Sequence, residues 1–242
     1  MNTLSGKTVV IVGGSSGMGL GAAQVAAMSG AHVVITSSTA SKLDAALATL
    51  QPTEGTVKAE VIDVLSETSV RDCFMRIGSL DHLFITASPG STGKFLDQSV
   101  EAAKSYMEGK YWSTYRVTYH AIPHMPEESS ITFLSGGLAI RPSPGTTVVS
   151  SAFAAVEALA KALAVELSPR RFNTIRPGTI ATDLWSFKSE EERQEFYKKE
   201  AASVPVQRMG QPTDIGQAAV FLMTNSFVTG TVLEVNGGWH LS

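Results

Sequence analysis

Three glycines near the amino terminus have the spacing of a phosphate-binding turn. Gly13, Gly17 and Gly19 follow the β-branched run Val9–Val12 and open an alanine-rich helical segment. The first permits a tight turn, the second lets the backbone approach a pyrophosphate, and the third lets the helix pack close to the strand. The helix amino terminus adds free N–H groups and a positive dipole end. The predicted contact residues are Gly13, Ser15, Ser16, Gly17, Met18 and Gly19. The alternative is an ordinary glycine-rich turn.

The end of the second predicted strand bears on which dinucleotide binds. Sites selective for NAD place a carboxylate there, which holds the ribose 2′-hydroxyl and repels a 2′-phosphate. This chain has Ser37 and Ser38 instead, with Lys42 nearby, so hydroxyl donors and one positive charge are available. The pattern favours NADP(H) as the cofactor. Ser37, Ser38 and Thr39 are also typical of a helix N-cap, and that alternative stays open.

A site of this kind needs strands and helices that alternate along the chain. Strand-like apolar runs are predicted at residues 9–12, 33–35, 57–62, 80–86, 131–134, 172–175 and 232–235. Helical patterns are predicted at residues 19–29, 40–50, 67–77, 97–122, 148–167 and 213–224. The strand runs are continuously apolar, which indicates a sheet covered on both faces. We therefore predict an α/β fold, a Rossmann-type doubly wound parallel sheet.

Length and composition predict one domain spanning residues 1–242. Residues 186–204 are rich in Glu, Lys and Gln, and we interpret them as a helical insertion on the substrate side, either a lid or a solvated helix. The scattered charge, net −3, favours neither nucleic acid nor a membrane surface as a partner. We expect no signal peptide and no membrane-spanning helix, and the single cysteine, Cys73, cannot form an internal disulfide. These features predict a cytoplasmic protein.

Further segments make the chain resemble the short-chain dehydrogenase/reductase family over nearly its whole length. Asp63-Val64 matches the family's adenine-contacting aspartate, and residues 85–88 fall where the family has Asn-Asn-Ala-Gly. Residues 177–182 match the Pro-Gly-x-x-x-Thr segment beside the nicotinamide, and residues 230–238 match the closing strand and turn. The resemblance implies a sheet of about seven parallel strands. It also implies cofactor contacts from Asp63, Val64, Ala87, Ser88, Pro177, Gly178, Ile180 and Thr182.

The residues that catalyse carbonyl reduction in this family are replaced here. Family members use a Tyr-x-x-x-Lys pair, a serine about 13 residues before the tyrosine, and an asparagine on the preceding long helix. Alignment on the tail of residues 154–159 places the tyrosine position at Val149 and the lysine position at Phe153. The serine position becomes Gly136, and alignment on residues 123–125 places the asparagine position at Lys110. Valine and phenylalanine can neither donate nor relay a proton.

Other side chains near these positions are candidates for the missing proton donor or for substrate binding. Ser135 and Ser150 flank the vacated positions, although such serines usually bond to the backbone. Lys110 could reach inward, although a helical lysine is usually solvated, and Arg141 could hold an anionic or carbonyl oxygen. Asp183 and Trp185 follow Thr182 at the expected mouth of the site, where Trp185 either stacks on substrate or packs. No spacing of His, Cys or Asp predicts a metal site.

The sequence therefore predicts an NADP(H)-dependent oxidoreductase of atypical mechanism that transfers hydride to a small organic substrate. An iminium ion, an activated alkene and a carbonyl compound all remain open as substrates. The alternatives are a cofactor-holding enzyme for a non-redox step such as a cyclisation, and a non-catalytic NADP(H)-binding protein. The apolar helices predicted at residues 97–122 and 148–167 resemble those that pair between subunits in the family, which implies a homo-oligomer, a tetramer or a dimer.

Overall fold

The chain folds around one parallel sheet with helices on both faces, as the sequence predicted. The computed structural model describes residues 3–50, 52, 55–86 and 93–241. The strands are β1 (Thr8–Val12), β2 (His32–Ser37), β3 (Val57–Val61), β4 (His82–Ile85), β5 (Ser130–Leu134), β6 (Arg171–Pro177) and β7 (Val232–Val235). Their order across the sheet is β3-β2-β1-β4-β5-β6-β7, and every pairing is parallel. Ligand clefts of such folds lie at the carboxyl ends of the strands, where the order reverses between β1 and β4.

Two apolar layers hold the helices against the sheet. The helices are α1 (Gly17–Met28), α2 (Ala40–Thr49), α3 (Glu67–Ile77), α4 (Val100–Met107), α5 (Ser113–Ala121), α6 (Thr147–Glu166), α7 (Glu190–Ser203) and α8 (Pro212–Thr224). One layer joins α1 and α8 to one face of the sheet, through residues such as Ile11, Ala26 and Leu222. The other joins α3, α5 and α6 to the opposite face, through residues such as Phe74, Val117 and Val156. The alternating pattern thus produces the three-layer arrangement that a doubly wound sheet requires.

The helix predicted at residues 97–122 is not continuous. A π-helical turn, Glu108–Trp112, separates α4 from α5. The hydroxyl of Ser113 donates to the carbonyl of Gly109 at 2.8 Å, and that of Thr114 donates to the carbonyl of Lys110 at 2.7 Å. Side-chain hydroxyls thus bond carbonyls at the wider turn, and such turns occur frequently at functional sites. The turn carries Lys110, which is buried.

Helix α6 is a candidate membrane span by length and composition, although the sequence predicted none. Among the helices formed by the described residues, α6 alone is long and apolar enough to cross a membrane by length and composition. Glu157 and Lys161 interrupt its sequence, which is why no continuous apolar run was evident. One face of the helix lies in the core through Val156, Leu159 and Ala160. Core helices of water-soluble folds have the same composition, so this feature alone does not indicate a membrane.

Candidate cofactor and active site

The glycine turn brings helix α1 close to strand β1. A Cβ at Gly19 would lie 2.1 Å from the carbonyl oxygen of Gly13 and 2.8 Å from the hydroxyl oxygen of Thr86. That hydroxyl donates to the carbonyls of Val12, at 3.0 Å, and Gly13, at 3.1 Å. Any side chain at residue 19 would therefore push the helix away from the strand. This is the close helix–strand packing that the third glycine of a dinucleotide-binding turn provides.

The second glycine lies at the open end of α1. Gly17 has φ +51°, a conformation that other residues rarely adopt. Ser16 precedes it with an extended backbone, and its side chain does not cap the helix. The Ser16 side chain therefore leaves the first amide groups of α1 uncapped, and Thr182 lies beside them, because its Cγ2 would be 3.4 Å from a Cβ at Gly17. A cradle of this shape fits the pyrophosphate of a dinucleotide. Ser15 and Met18, the other predicted contacts, are half-buried in the same turn.

A small cavity next to this turn collects the predicted adenosine contacts. It has a volume of about 210 Å³ and is lined by Val12, Gly13, Ser37, Ser38, Ile62, Asp63, Val64 and Leu65. Asp63 accepts a hydrogen bond from the amide of Leu65 at 2.9 Å. Lys42 is exposed on α2 and does not line the cavity. The N-cap of α2 is Thr39, and it makes no side-chain cap bond, so the predicted serine cluster does not cap this helix through that residue.

The predicted nicotinamide segment, residues 177–182, is held on both sides. Gly178 packs against the turn that follows β7, since a Cβ there would lie 2.8 Å from Cα of Asn236. Ile180 is buried and forms a parallel bridge with Gly210. Thr182 then faces the glycine turn. Pro177 ends β6, so this segment begins at the carboxyl end of the sheet. Ala87 and Ser88, the remaining predicted cofactor contacts, lie outside the described residues.

These residues fit a nicotinamide dinucleotide. The turn has a phosphate cradle that a side chain at Gly17 or Gly19 would disturb. The adjoining cavity is polar where a ribose would need hydroxyl partners, at Ser37 and Asp63. The fit depends on the close approach of the protein backbone to the phosphates and on polar partners for the ribose. This fold class recognises dinucleotides in the same way.

Three of the four positions that the sequence alignment assigns to the family's catalytic residues lie near one another. The ammonium of Lys110 is 5.6 Å from the centroid of the Phe153 ring. A Cβ at Gly136 would lie 2.4 Å from Cε2 of the same ring. Val149, one helical turn before Phe153, is buried in an apolar cluster with Tyr106. The ring of Phe153 therefore lies near both Lys110 and Gly136.

The sequence left two environments open for Lys110, a side chain that reaches inward and a solvated helical lysine. The structure has the first of these, because Lys110 is only 1% exposed. The π-turn directs it inward, and among the described residues no carboxylate pairs with its ammonium. Burial lowers the pKa of the Lys110 ammonium to about 8, because the charged form loses its hydration. The pKa of this buried ammonium therefore lies closer to neutral pH than that of an ordinary lysine.

Two of the other predicted donors are committed to structural bonds. The hydroxyl of Ser135 donates to Oε1 of Glu157 at 2.8 Å, so its proton is already used. Glu157 also accepts from Nε and Nη2 of Arg176, at 2.9 Å and 2.6 Å, and all three side chains are buried. The hydroxyl of Ser150 lies 3.2 Å from that of Thr146, within the first turn of α6. Serine as the proton donor is therefore disfavoured, for the reason that such serines usually bond locally.

The residues predicted at the mouth of the site have different environments: Trp185 is packed and Asp183 is exposed. The indole nitrogen of Trp185 donates to the carbonyl of Ile180 at 2.9 Å, and its ring packs 4.6 Å from that of Phe196 on α7. Trp185 thus ties the 186–204 insertion to the nicotinamide segment, which is the packing alternative. Asp183 is exposed. Arg141 stacks on Trp239, a residue near the carboxyl terminus that sequence reasoning did not select.

Comparisons with known proteins agree with this architecture. Residues 12–240 match a family model described as Enoyl-(Acyl carrier protein) reductase. The short-chain dehydrogenase/reductase ATR9 of Stachybotrys chlorohalonatus is 30% identical over 262 aligned residues, covering 100% of both chains. The 3-oxoacyl-[acyl-carrier-protein] reductase FabG of Chlamydia pneumoniae is 30% identical over 246 residues, covering 98% of each chain.

Solved structures give the same result. The MalC reductase/Diels-Alderase of Malbranchea aurantiaca superposes with a TM-score of 0.93 at 26% identity, covering 100% of this chain and 99% of that one. A small-chain dehydrogenase in complex with NADPH superposes with a TM-score of 0.81 at 30% identity, covering 98% of this chain and 99% of that one. With a family model matched across residues 12–240 and relatives aligned over the full length, this chain belongs to the short-chain dehydrogenase/reductase family of oxidoreductases.

Proposed function

We propose that this chain is an NADP(H)-dependent reductase that transfers hydride to a small organic substrate without a tyrosine acid. The observation that carries the proposal is the buried ammonium of Lys110, which lies 5.6 Å from the centroid of the Phe153 ring. Phe153 is the residue that aligns with the family's catalytic lysine. Lys110 supplies the positive charge that the Tyr-x-x-x-Lys pair supplies elsewhere in the family. The proposal keeps the redox chemistry of the family and changes the residue that supports it.

Three observations support NADP(H) over NAD(H). The cavity at the end of β2 is lined by the hydroxyls of Ser37 and Ser38, where a carboxylate would repel a 2′-phosphate. Lys42, the third residue of α2, does not line this cavity but adds a positive charge to the helix that follows β2. A relative of 30% identity was solved with NADPH bound.

The charge on Lys110 selects among substrate classes. The bound reduced nicotinamide supplies a hydride. Hydride addition to a carbonyl, or to an alkene conjugated with one, leaves negative charge on the substrate oxygen, which a buried ammonium stabilises strongly. An iminium ion already carries positive charge and would be repelled by Lys110 in the same low-dielectric pocket. We therefore assign an activated alkene or a carbonyl compound as substrate, in preference to an iminium ion.

The proton that completes the reduction comes from the same group. The Lys110 ammonium, with a pKa of about 8, remains largely protonated at neutral pH and can release a proton to an enolate or alkoxide. The ring of Phe153, which lies near this ammonium, packs in an apolar cluster with Val149. Apolar surroundings of this kind exclude water, which strengthens the attraction between the ammonium and the developing oxyanion.

A second candidate function is a cyclisation assisted by the same pocket. The neighbour with a TM-score of 0.93 is named as both a reductase and a Diels-Alderase. A cycloaddition needs no proton transfer, so apolar surroundings such as the cluster of Val149 and Phe153 would suit it. For this second function, Lys110 polarises a carbonyl group of the dienophile and donates no proton.

Single-turnover mixing of the NADPH-loaded protein with three probes distinguishes these functions. The probes are cinnamaldehyde as an activated alkene, acetophenone as a ketone, and protonated 2-methyl-1-pyrroline as an iminium ion. The proposal expects loss of NADPH fluorescence with cinnamaldehyde, or more slowly with acetophenone, and none above background with the iminium ion. Oxidation by the iminium ion alone would contradict the substrate assignment. Absence of oxidation by all three, together with tight NADPH binding, would favour the cyclisation.

A further inference from the structure

A single buried carboxylate joins three segments that carry predicted active-site residues. Glu157 lies on α6, and its side chain is 10% exposed. Its Oε1 accepts from the hydroxyl of Ser135 at 2.8 Å and from Nε of Arg176 at 2.9 Å. Its Oε2 accepts from Nη2 of Arg176 at 2.6 Å. The carboxylate therefore binds the residue that follows β5 and a residue near the end of β6 at the same time.

Each of the three segments places a predicted site residue next to this carboxylate. The serine that donates to it directly precedes Gly136, the residue at the family's serine position. Phe153, at the lysine position, lies four residues before Glu157 on α6, so the two side chains project from the same face of the helix. The arginine directly precedes residues 177–182, the predicted nicotinamide segment. A displaced carboxylate would therefore disturb all three places through one residue of chain or one helical turn.

The network continues from Arg176 to the turn that follows β7. Nη1 of Arg176 donates to Oε1 of Glu234, and the side-chain amide of Asn236 donates to Oε2 of Glu234 at 2.7 Å. Asn236 packs against the nicotinamide segment, since a Cβ at Gly178 would lie 2.8 Å from its Cα. The segment is thus held at its start by Arg176 and at its second residue by Asn236.

The network fixes orientation as well as distance. Two donors of Arg176 reach the two oxygens of Glu157, and this bidentate arrangement restricts the planes of both groups. Apolar side chains of similar volume often stabilise a protein as much as a buried ion pair does, so stability alone does not account for such a pair. What its bonds supply is a fixed geometry, and hydride transfer requires the donor and acceptor carbons to be held in a narrow range of geometries.

We propose that Glu157 is a positioning residue for the proposed hydride transfer. It holds Gly136, the ring of Phe153 and the start of the nicotinamide segment in one arrangement, and it acts through these residues. The inference rests on the proposed function, because that function supplies the reaction whose geometry is fixed. Its role differs from that of Lys110, which acts on the substrate itself.

Hydrogen–deuterium exchange and single-turnover kinetics test this role in the NADPH-loaded protein. Glu157→Gln removes the negative charge that Arg176 binds and keeps the size of the side chain. Amide exchange should become about tenfold or more faster in residues 135–141 and 177–182, and it should stay as in wild type in the glycine turn, residues 13–19. The rate of hydride transfer to cinnamaldehyde should fall about tenfold or more. The NADPH affinity should stay within about twofold of wild type.

Ser135→Ala separates the two arms of the network. It removes only the bond to the segment after β5, so exchange should become faster in residues 135–141 and stay unchanged in residues 177–182. Glu60→Gln is the control, at a half-buried carboxylate that accepts from Nε of Arg76 at 2.9 Å on another part of the sheet. It should leave both the exchange in these segments and the rate of hydride transfer as in wild type.

Thermal melting of each variant verifies folding. If Glu157→Gln fails to fold, the double variant Glu157→Leu, Arg176→Met removes the pair without leaving one of its charges buried alone. Glu234, whose side chain is 26% exposed, keeps its bond from Asn236 in that variant. The double variant should show the same local changes in exchange and the same loss of rate.

Wild-type exchange in residues 135–141 and 177–182 of the folded variant would overturn the proposal. Faster exchange there with an unchanged rate of hydride transfer would overturn it as well. An equal rise in exchange throughout the chain would show a role in stability alone, with the same consequence.

The failure of the proposed function looks different, because amide exchange requires no hydride transfer. Local exchange changes in Glu157→Gln, together with a wild type that oxidises no NADPH with any carbonyl or alkene, would retain the structural arrangement and reject the reductase. Reduction of cinnamaldehyde by wild type, with no local exchange change in Glu157→Gln, would do the reverse.

Discussion

The ring of Phe153 fills the space in which a side chain at Gly136 would stand. A Cβ there would lie 2.4 Å from Cε2 and 2.9 Å from Cδ2 of the ring. The backbone at Gly136 is extended, with φ −171°, so the restriction is steric and not conformational. The ring at residue 153 therefore leaves no room for a side chain at residue 136, so a serine cannot be introduced there while the ring remains in place.

Gly136→Ser should destabilise the folded chain by about 1–3 kcal/mol, the usual cost of overpacking a filled site. Phe153→Ala removes the ring, so the double variant should be more stable than the sum of the single effects predicts, with a coupling of about 1 kcal/mol or more. Urea denaturation of wild type, both single variants and the double variant measures this coupling. Additive effects would show that Gly136 and Phe153 do not share one space in solution.

Wild-type protein should bind NADPH more tightly than NADH, and Ser37→Asp should reverse the order. The introduced carboxylate repels a 2′-phosphate and accepts from a 2′-hydroxyl, which changes the affinity ratio by about tenfold or more. Calorimetric titration with both cofactors measures the ratio. Ser105→Asp, on the exposed side of α4, is the control and should leave it unchanged. An unchanged ratio of NADPH to NADH affinity in Ser37→Asp would show that the ribose 2′ group does not lie beside Ser37.

The chain should form a homotetramer or a homodimer through α5 and α6. Tyr119 is 65% exposed and Val165 is 83% exposed, so each of these helices presents a large apolar side chain that an interface would cover. Sedimentation equilibrium at micromolar concentration should give the mass of an oligomer. The double variant Tyr119→Glu, Val165→Glu should have a lower mass in solution. Met75→Glu, at an exposed position of α3, is the control and should leave the mass unchanged. A monomeric wild type would contradict the family-based expectation.

The strands and the glycine turn could be predicted from sequence because their signals are local. A β-branched run followed by glycines at fixed spacing defines β1, the turn and α1, and residues 232–235 form β7 as expected. The environment of Lys110 could not be predicted, because the π-turn that buries it breaks helical periodicity by a single residue. Trp239 was missed because its contact with Gly137 joins residues a hundred positions apart, and no local pattern encodes that contact.

The pH dependence of stability should report the burial of Lys110. Folding lowers the pKa of its ammonium from the ordinary value of 10.5 to about 8, so between these values the unfolded chain binds more protons than the folded chain. The free energy of unfolding contributed by this group therefore rises with pH across that window. At neutral pH both states are protonated, and the buried charge costs about 3 kcal/mol.

Lys110→Met should consequently be more stable than wild type at neutral pH, and its advantage should shrink as the pH rises from about 8 to about 10.5. Denaturant unfolding at several pH values measures the difference. Lys161→Met, at an exposed lysine on α6, is the matched control and should show no such trend. A Lys110→Met variant less stable than wild type at neutral pH would indicate a stabilising partner for the ammonium.

The most direct test of the central claim is the single-turnover rate of hydride transfer from NADPH to cinnamaldehyde as a function of pH in wild type, Lys110→Met and Lys110→Arg. If Lys110 holds the developing oxyanion and supplies the proton, the wild-type rate falls as the pH rises through about 8. Lys110→Met then loses about a hundredfold or more in rate while still binding NADPH. Lys110→Arg retains part of the rate without the fall, because a guanidinium stays charged. A Lys110→Met variant with the wild-type rate and pH profile would contradict the account.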